Sequence, residues 1–199
     1  MNYKTILSYT TTFFVMLFLM TLNGNVNSNT TDSGDIILFD FGTLENMNDW
    51  LIVNDGVMGG LSKSRFVLSD RNTAVFSGNV TLENNGGFAS IRTKAMQFQL
   101  EGFKGIMIRL KGDGKKYQFR LRTNDRFDGV SYRYHFETKN NQWQTISIPF
   151  DKCVPVFRGR ILRDVGPISP KDIQQLGFMA SDNQTGEFQL EIQWIKAYQ

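Results

Sequence analysis

The feature that most constrains this chain is a series of short β-type runs divided by turn-forming residues. From Asp35 onward, β-branched and aromatic residues recur in segments of strand length, and clusters of Gly, Asn and Asp separate them. The expected strands span residues 36–41, 50–53, 64–68, 73–82, 88–93, 105–110, 117–123, 130–136, 144–149, 175–180 and 188–198. Many short strands with frequent turns predict an all-β fold, an antiparallel sandwich. Ser169 before Pro170 predicts one helical turn.

Residue counts exclude several classes of site. The 199-residue chain has one cysteine, Cys153, and one histidine, His135. An intramolecular disulfide, a thiolate metal cluster and most multi-histidine zinc sites are therefore excluded. The formal net charge of +3 is too small to indicate a nucleic-acid partner. We expect no metal and no cofactor.

The N-terminal segment has the composition of a targeting signal. Lys4 precedes an apolar segment that runs from Ile6 to Leu22. This pattern predicts a signal peptide over residues 1–28, cleaved near Ser28, and hence a secreted or periplasmic protein. The alternative is an uncleaved, extracytoplasmic membrane anchor, since the run is at the lower limit for a bilayer core of about 30 Å. A linker over 29–35 and one domain over 36–199 complete the expected organisation.

Three consecutive strands each carry basic residues at alternate positions. In the segments 105–111, 117–123 and 130–136, apolar side chains alternate with polar ones, and the polar sets include Arg109, Arg120, Arg122 and Arg133. If the three strands pair in one sheet, these side chains form a positive surface able to bind carboxylates or phosphates. A merely solvated outer sheet face would show the same alternation.

Two turn-rich segments, 54–62 and 84–92, provide further candidate binding residues. Their glycines allow tight bends, and their Asn and Asp side chains suit either ligand contact or a turn that fixes the next strand. An arginine buried in the second segment would need a carboxylate, so we expect an ion pair between Asp55 and Arg92. The candidate binding residues are Asn54, Asp55, Gly56, Gly59, Gly60, Asn85, Gly86, Gly87, Arg92, Arg120 and Arg122.

The same segments carry a family resemblance. Asn-Asp-Gly-Val-Met-Gly-Gly-Leu-Ser at 54–62, the block 76–92 and the later motifs Ile-Pro-Phe at 148–150 and Leu-Gly-Phe at 176–178 resemble the complex I intermediate-associated protein 30 family over nearly all of 36–198. The resemblance implies a galactose-binding-like jelly-roll sandwich. It also implies a chaperone-like role in assembling respiratory complex I, and the same fold serves in carbohydrate-binding modules.

Catalytic signals are weak, so we expect no enzyme. The chain has no Gly-x-Ser-x-Gly elbow, and His135 and Cys153 lack a recognisable catalytic spacing. The expected function is a non-catalytic, extracytoplasmic binding or assembly-assisting domain whose partner is a protein or a glycan. One alternative is a carbohydrate-binding module that stacks sugars on Trp50, Tyr132 or Trp143. The other is a hydrolase or lyase of unknown substrate that depends on His135 or an acidic pair.

Overall fold

A computed structural model describes residues 34–199, and the expected leader over 1–28 lies outside these described residues. The strands are β1 (Ile36–Asp40), β2 (Trp50–Ile52), β3 (Lys63–Leu68), β4 (Ala74–Val80), β5 (Ala89–Thr93), β6 (Gly105–Gly112), β7 (Lys116–Arg122), β8 (Ser131–Glu137), β9 (Trp143–Pro149), β10 (Val154–Phe157), β11 (Arg160–Ile161), β12 (Gln175–Ala180) and β13 (Gly186–Tyr198). The all-β prediction is confirmed, because every expected strand is present with slightly shifted ends. The short strands β10 and β11 were not expected.

The strands form two antiparallel sheets. A six-stranded sheet has the order β3-β4-β13-β6-β9, and β1 pairs with β13 beside this path. A seven-stranded sheet has the order β11-β10-β8-β7-β12-β5-β2. Strand β13 spans 13 residues and pairs with β4 and β6. The two sheets form the expected sandwich.

Alternate side chains of both sheets fill one apolar core. On β7, Tyr117, Phe119 and Leu121 are fully buried, as their alternation with polar residues predicts. The Phe119 ring lies 5.2 Å from the Phe178 ring of β12, between centroids. Burying each large apolar side chain contributes about 1.5–3 kcal/mol to folding. Because the inner faces are committed to this core, only outer-face side chains and loops remain for other contacts.

Two of the three basic strands share one sheet, so the condition for a surface built from all three is not met. Strands β7 and β8 pair directly, whereas β6 pairs with β9 and β13 in the six-stranded sheet. Arg109 of β6 therefore lies on a different sheet from Arg120 and Arg133. Neighbouring position in the chain did not fix the sheet, because the chain crosses from one layer to the other between β6 and β7.

Helical structure within residues 34–199 is confined to short 3₁₀ turns. The expected turn forms at Pro170–Asp172 with proline at its start, but the Ser169 side chain makes no capping hydrogen bond. No helix in this part of the chain is long and apolar enough to cross a lipid bilayer.

Candidate functional site

The first turn-rich segment folds around the side chain of Asp55, which is fully buried. Its carboxylate accepts hydrogen bonds from the backbone N–H groups of Ser62 at 2.9 Å, Gly87 at 2.7 Å and Phe88 at 3.2 Å, and from the Ser62 hydroxyl. Burial by itself would raise the pKa of Asp55, but these hydrogen bonds outweigh burial and hold the pKa below its ordinary value. The buried carboxylate is therefore ionised and ties the two turn-rich segments together.

The glycines of both segments make this arrangement sterically feasible. A Cβ atom on Gly60 would lie 2.4 Å from Cγ of Asp55, and one on Gly86 would lie 2.6 Å from Oδ2 of Asp55. Gly59 has a φ of 91°, in the left-handed region that favours glycine. We call Asp55, Gly60, Ser62, Gly86 and Gly87 the Asp55 buckle. A contact of this buckle with a partner stays a prediction.

The other candidates in these segments surround the buckle. Oδ1 of Asn54 accepts hydrogen bonds from the Ser64 hydroxyl at 2.8 Å and from the Ser90 backbone N–H at 3.2 Å. Asn85 has a φ of 58°, and a Cβ on Gly56 would meet no atom within 4 Å. The polar side chains of the first segment are thus engaged within the protein, while Gly56 lies on an open part of it.

The expected ion pair between Asp55 and Arg92 is wrong. Arg92 lies on β5, directly opposite Gly177, and its Nη1 donates to the Phe127 carbonyl at 2.9 Å. Its guanidinium carbon lies 4.9 Å from the centroid of the Phe127 ring. Asp55 needs no cation, because backbone amides and one hydroxyl satisfy its carboxylate.

Arg92 instead belongs to a cluster on the outer face of the seven-stranded sheet. Arg92 and Arg120 both lie opposite Gly177, and Arg120 lies directly opposite Arg133. Arg122 follows Arg120 by two residues and points to the same side of β7. We call Arg92, Arg120, Arg122 and Arg133 the arginine face. The tertiary structure thus unites three of the candidate binding residues with Arg133, which the sequence places only on a basic strand.

Gly177 allows these strands to approach closely. A Cβ atom at this position would lie 2.2 Å from the Ile91 carbonyl oxygen and 2.9 Å from Cα of Arg92. No side chain at this position separates Arg92 from Arg120 across β12, so the arginine face is continuous over four strands.

The hydrogen-bond partners of the arginine face are neutral. Arg120 donates to Oε1 of Gln118 at 2.7 and 3.1 Å and to the Ser131 hydroxyl at 3.1 Å. Arg122 donates to the Gly129 carbonyl at 3.3 Å. The side chain of Arg133 makes no hydrogen bond or ion pair with any described residue, and its Nε is buried without a partner, as is Nε of Arg92. The cluster therefore keeps unused donors beneath its surface.

Burial and mutual repulsion disfavour these charges. Burial, followed by the fields of Arg122 and Arg133, lowers the pKa of Arg120 to about 10. Burial also lowers the pKa values of Arg92 and Arg122. A pKa of about 10 still leaves Arg120 charged at neutral pH. Like charges directly opposite each other on neighbouring strands are destabilising, so the arginine face opposes folding locally.

The nearest carboxylates have other partners. Asp128 pairs with Arg158 at 2.8 Å, and Asp182 lies 3.2 Å from Nδ1 of His135. Asp182 also accepts a hydrogen bond from Nε2 of Gln118 at 2.7 Å. The fields of Asp128 and Asp182 favour the charged forms of Arg92, Arg120 and Arg122, but these two carboxylates offset the four positive charges only in part.

Metal and catalytic candidates are not assembled in the described part of the chain. Residues 34–199 hold no group of three or more His, Cys, Asp and Glu side chains that could bind a metal ion. Burial lowers the pKa of His135, against the opposing effect of Asp182. The thiol of Cys153 is buried, and this burial raises its pKa to about 12, which suppresses the reactive thiolate.

The aromatic residues considered for sugar stacking are dispersed. Trp50 and Tyr132 are buried in the core. Trp143 lies on the six-stranded sheet, 37% exposed, with the Lys111 ammonium 5.2 Å from its ring centroid. The ring next to the arginine face belongs to Phe127, which is 61% exposed. The sequence prediction missed Phe127 because it lies in a loop, outside any alternating pattern.

Comparison with known proteins gives one family and one fold. A family model described as Complex I intermediate-associated protein 30 (CIA30) matches residues 39–192. A Caenorhabditis elegans protein named "Probable complex I intermediate-associated protein 30, mitochondrial" is 29% identical over 178 residues, covering 79% of this chain and 52% of that protein. The Mus musculus protein named "Complex I intermediate-associated protein 30, mitochondrial" is 26% identical over 183 residues, covering 81% and 56%. The chain thus spans about half the length of these relatives.

Solved structures confirm the jelly-roll fold. A family 11 carbohydrate-binding module from Clostridium thermocellum, in complex with a mixed-linked tetrasaccharide, superposes with a TM-score of 0.63 at 19% identity, covering 83% of this chain and 96% of that chain. The agarase AgWH50C gives a TM-score of 0.54 at 11% identity, covering 84% and 25%. At such low identities the likeness concerns the fold alone.

The comparisons also correct the expected location. The prediction of a secreted, periplasmic or membrane-anchored extracytoplasmic protein is wrong, since the relatives from Caenorhabditis elegans and Mus musculus are named as mitochondrial. The prediction rested on the hydrophobicity of the segment that follows Lys4. Hydrophobicity does not identify the destination of a chain, because the destination is selected by a receptor that recognises the segment.

Proposed function

This chain belongs to the complex I intermediate-associated protein 30 family, and on that premise we propose that it is a mitochondrial, non-catalytic domain that binds a protein partner during complex I assembly. The contact surface in this proposal is the arginine face. The names of the relatives supply the association with a complex I intermediate, and the geometry of this chain supplies the surface.

The observation that carries the proposal is the excess of positive charge on the arginine face, which the fields of Asp128 and Asp182 offset only in part. Four arginines lie on adjoining strands, their hydrogen-bond partners are neutral, and the neighbouring Asp128 and Asp182 are paired with other residues. A group that only stabilised the fold would be expected to have its charge satisfied within it. A surface whose charges lower the stability of the fold is typical of a functional site.

Binding fits this surface better than catalysis. Arg120 contacts the Ser131 hydroxyl, but no histidine or carboxylate contacts that hydroxyl as a base among the described residues. His135 contacts Asp182 at the edge of the cluster, without a hydroxyl or thiol nucleophile on its other side in the described structure. A set of fixed guanidinium groups instead recognises anionic groups through paired hydrogen bonds.

Affinity purification from mitochondria tests the proposal. The tagged full chain is expressed in its own organism, and co-purifying complex I subunits are quantified for the unmodified protein and for the variant Arg133→Gln. The side chain of Arg133 makes no hydrogen bond within the described structure, so its replacement should leave the fold intact. We expect recovery of complex I subunits to fall about tenfold, the effect of losing one central binding residue.

The matched control is the variant Arg71→Gln, which removes an arginine from an exposed position outside the arginine face. Its recovery of complex I subunits should equal that of the unmodified protein. Equal recovery for Arg133→Gln and Arg71→Gln would contradict the proposed contact surface. Absence of complex I subunits from every purification, together with binding on a glycan array, would contradict the assembly function and favour carbohydrate binding as the function of this domain.

A further inference from the structure

Resting on the proposed function, we propose that the arginine face recognises an extended segment of the partner protein that carries at least two carboxylate side chains. The ligand is thus an acidic peptide segment, held across the outer face of the seven-stranded sheet. The inference depends on the spacing of the arginines, on the side chain of Arg133, which has no partner among the described residues, and on the exposed ring of Phe127.

The arginines form two adjoining positions for anions. Arg120 and Arg133 lie directly opposite each other on paired strands, about 5 Å apart between Cα atoms. Arg92 and Arg122 are coupled through their fields and lie on the two strands that flank β12. One carboxylate between the members of each pair would replace repulsion by attraction and supply acceptors for the free guanidinium nitrogens.

The spacing of these positions suits an extended peptide. Successive strands of a sheet are separated by about 4.8 Å. The midpoint of Arg92 and Arg122 falls at β12 and that of Arg120 and Arg133 falls between β7 and β8, so the two positions are about 7 Å apart across the strands. Side chains on one side of an extended peptide recur about every 6.8 Å, and flexible arginine and glutamate side chains absorb the difference. A single small anion would span only one of the two positions.

Phe127 supplies an apolar contact beside the charges. Its exposed ring packs against the guanidinium of Arg92, and its carbonyl fixes the orientation of that group. A side chain that lies between two acidic residues of the segment would contact this ring. Such a mixed surface selects a protein segment over a purely ionic ligand, because only a ligand with an apolar side chain can bury area against the ring.

Fluorescence anisotropy with the full chain tests the inference. The probe is a dye-labelled synthetic peptide in which glutamate alternates with valine and serine, and the matched peptide carries glutamine at every glutamate position. We expect the glutamate peptide to bind at least tenfold more tightly than the glutamine peptide. Arg133→Gln and Arg92→Gln should each weaken binding of the glutamate peptide about threefold to tenfold, and Arg71→Gln should leave it unchanged.

Competition separates peptide recognition from simple anion binding. Inorganic phosphate at millimolar concentration should not displace the glutamate peptide. Displacement by phosphate, or equal binding of the two peptides, would overturn the inference. If Arg133→Gln loses complex I subunits while neither peptide binds, the acidic-segment inference is wrong and the proposed function stands. If the glutamate peptide binds as expected but Arg133→Gln retains the subunits, the proposed function is wrong and the anion selectivity of the face stands.

Discussion

The Asp55 buckle and the arginine face both bury charge, but they treat it in opposite ways. Asp55 receives hydrogen bonds from three backbone amides and one hydroxyl, and its pKa falls below the ordinary value because the fold favours the charged carboxylate. The pKa of Arg120 also falls, but for a base this means that the fold disfavours the charged form. The charge of Asp55 thus stabilises the fold, whereas the charges of the arginine face destabilise it and, in the proposed function, bind a partner.

The largest expected effect concerns the buckle. Asp55→Ala would leave the N–H groups of Ser62, Gly87 and Phe88 without their acceptor in a buried site. We expect the free energy of unfolding to fall by about 3 kcal/mol or more, since each buried unsatisfied group costs about 1–3 kcal/mol. Urea unfolding measures the change. A loss below about 1 kcal/mol would show that the fold does not depend on Asp55 and would contradict its stabilising role.

Gly60→Ala tests the same buckle through shape alone. The new methyl group would lie within 2.8 Å of three atoms of the Asp55 side chain, so the carboxylate must move from its donors. We expect a loss of about 1–3 kcal/mol in the free energy of unfolding. Gly56→Ala is the matched control, because its methyl group would meet no atom within 4 Å. Equal effects of the two substitutions in thermal unfolding would contradict the steric argument.

The pH dependence of stability tests whether the buried carboxylate of Asp55 is ionised in the folded protein. The folded-state pKa of Asp55 lies below the ordinary value of 3.8, so its charge stabilises the fold above that value. This contribution is lost as the pH falls through the depressed pKa of the folded state. The stability difference between the unmodified protein and Asp55→Asn should therefore narrow on acidification below about pH 4. A difference that stays constant in urea unfolding down to pH 2.5 would be inconsistent with a buried ionised carboxylate.

The smallest expected effect, opposite in sign, belongs to the arginine face. Arg133→Gln removes a charge directly opposite Arg120 and a buried unpaired Nε. We expect the free energy of unfolding to stay unchanged or to rise by about 0.5 kcal/mol, while the recovery of complex I subunits falls. Arg71→Gln should change neither quantity. A marked loss of stability for Arg133→Gln would show that Arg133 stabilises the fold, as Asp55 does, and would contradict the proposed difference between the two regions.

Local sequence patterns predicted most of the strands and the inward direction of their apolar residues. Strands β10 and β11 escaped this reasoning because they are short and β10 contains Pro155, which weakens any strand pattern. The candidate site was predicted in part: Arg92, Arg120 and Arg122 are close together, whereas the expected partner of Arg92 was wrong. Sequence reasoning could not find that Asp55 is satisfied by backbone amides, because amides carry no residue-specific signal.

The side of each strand that faces the core can be read from the order of residues, because alternation is a property of the strand alone. The order of residues also indicates where the chain turns, through glycine and asparagine residues that tolerate positive φ. Local patterns do not reveal that β7 pairs with β8 and β12 while β6 joins the other sheet. Strand pairing depends on contacts between residues far apart in the chain, and those contacts bring four arginines onto one sheet face, where Asp128 and Asp182 offset their charges only in part.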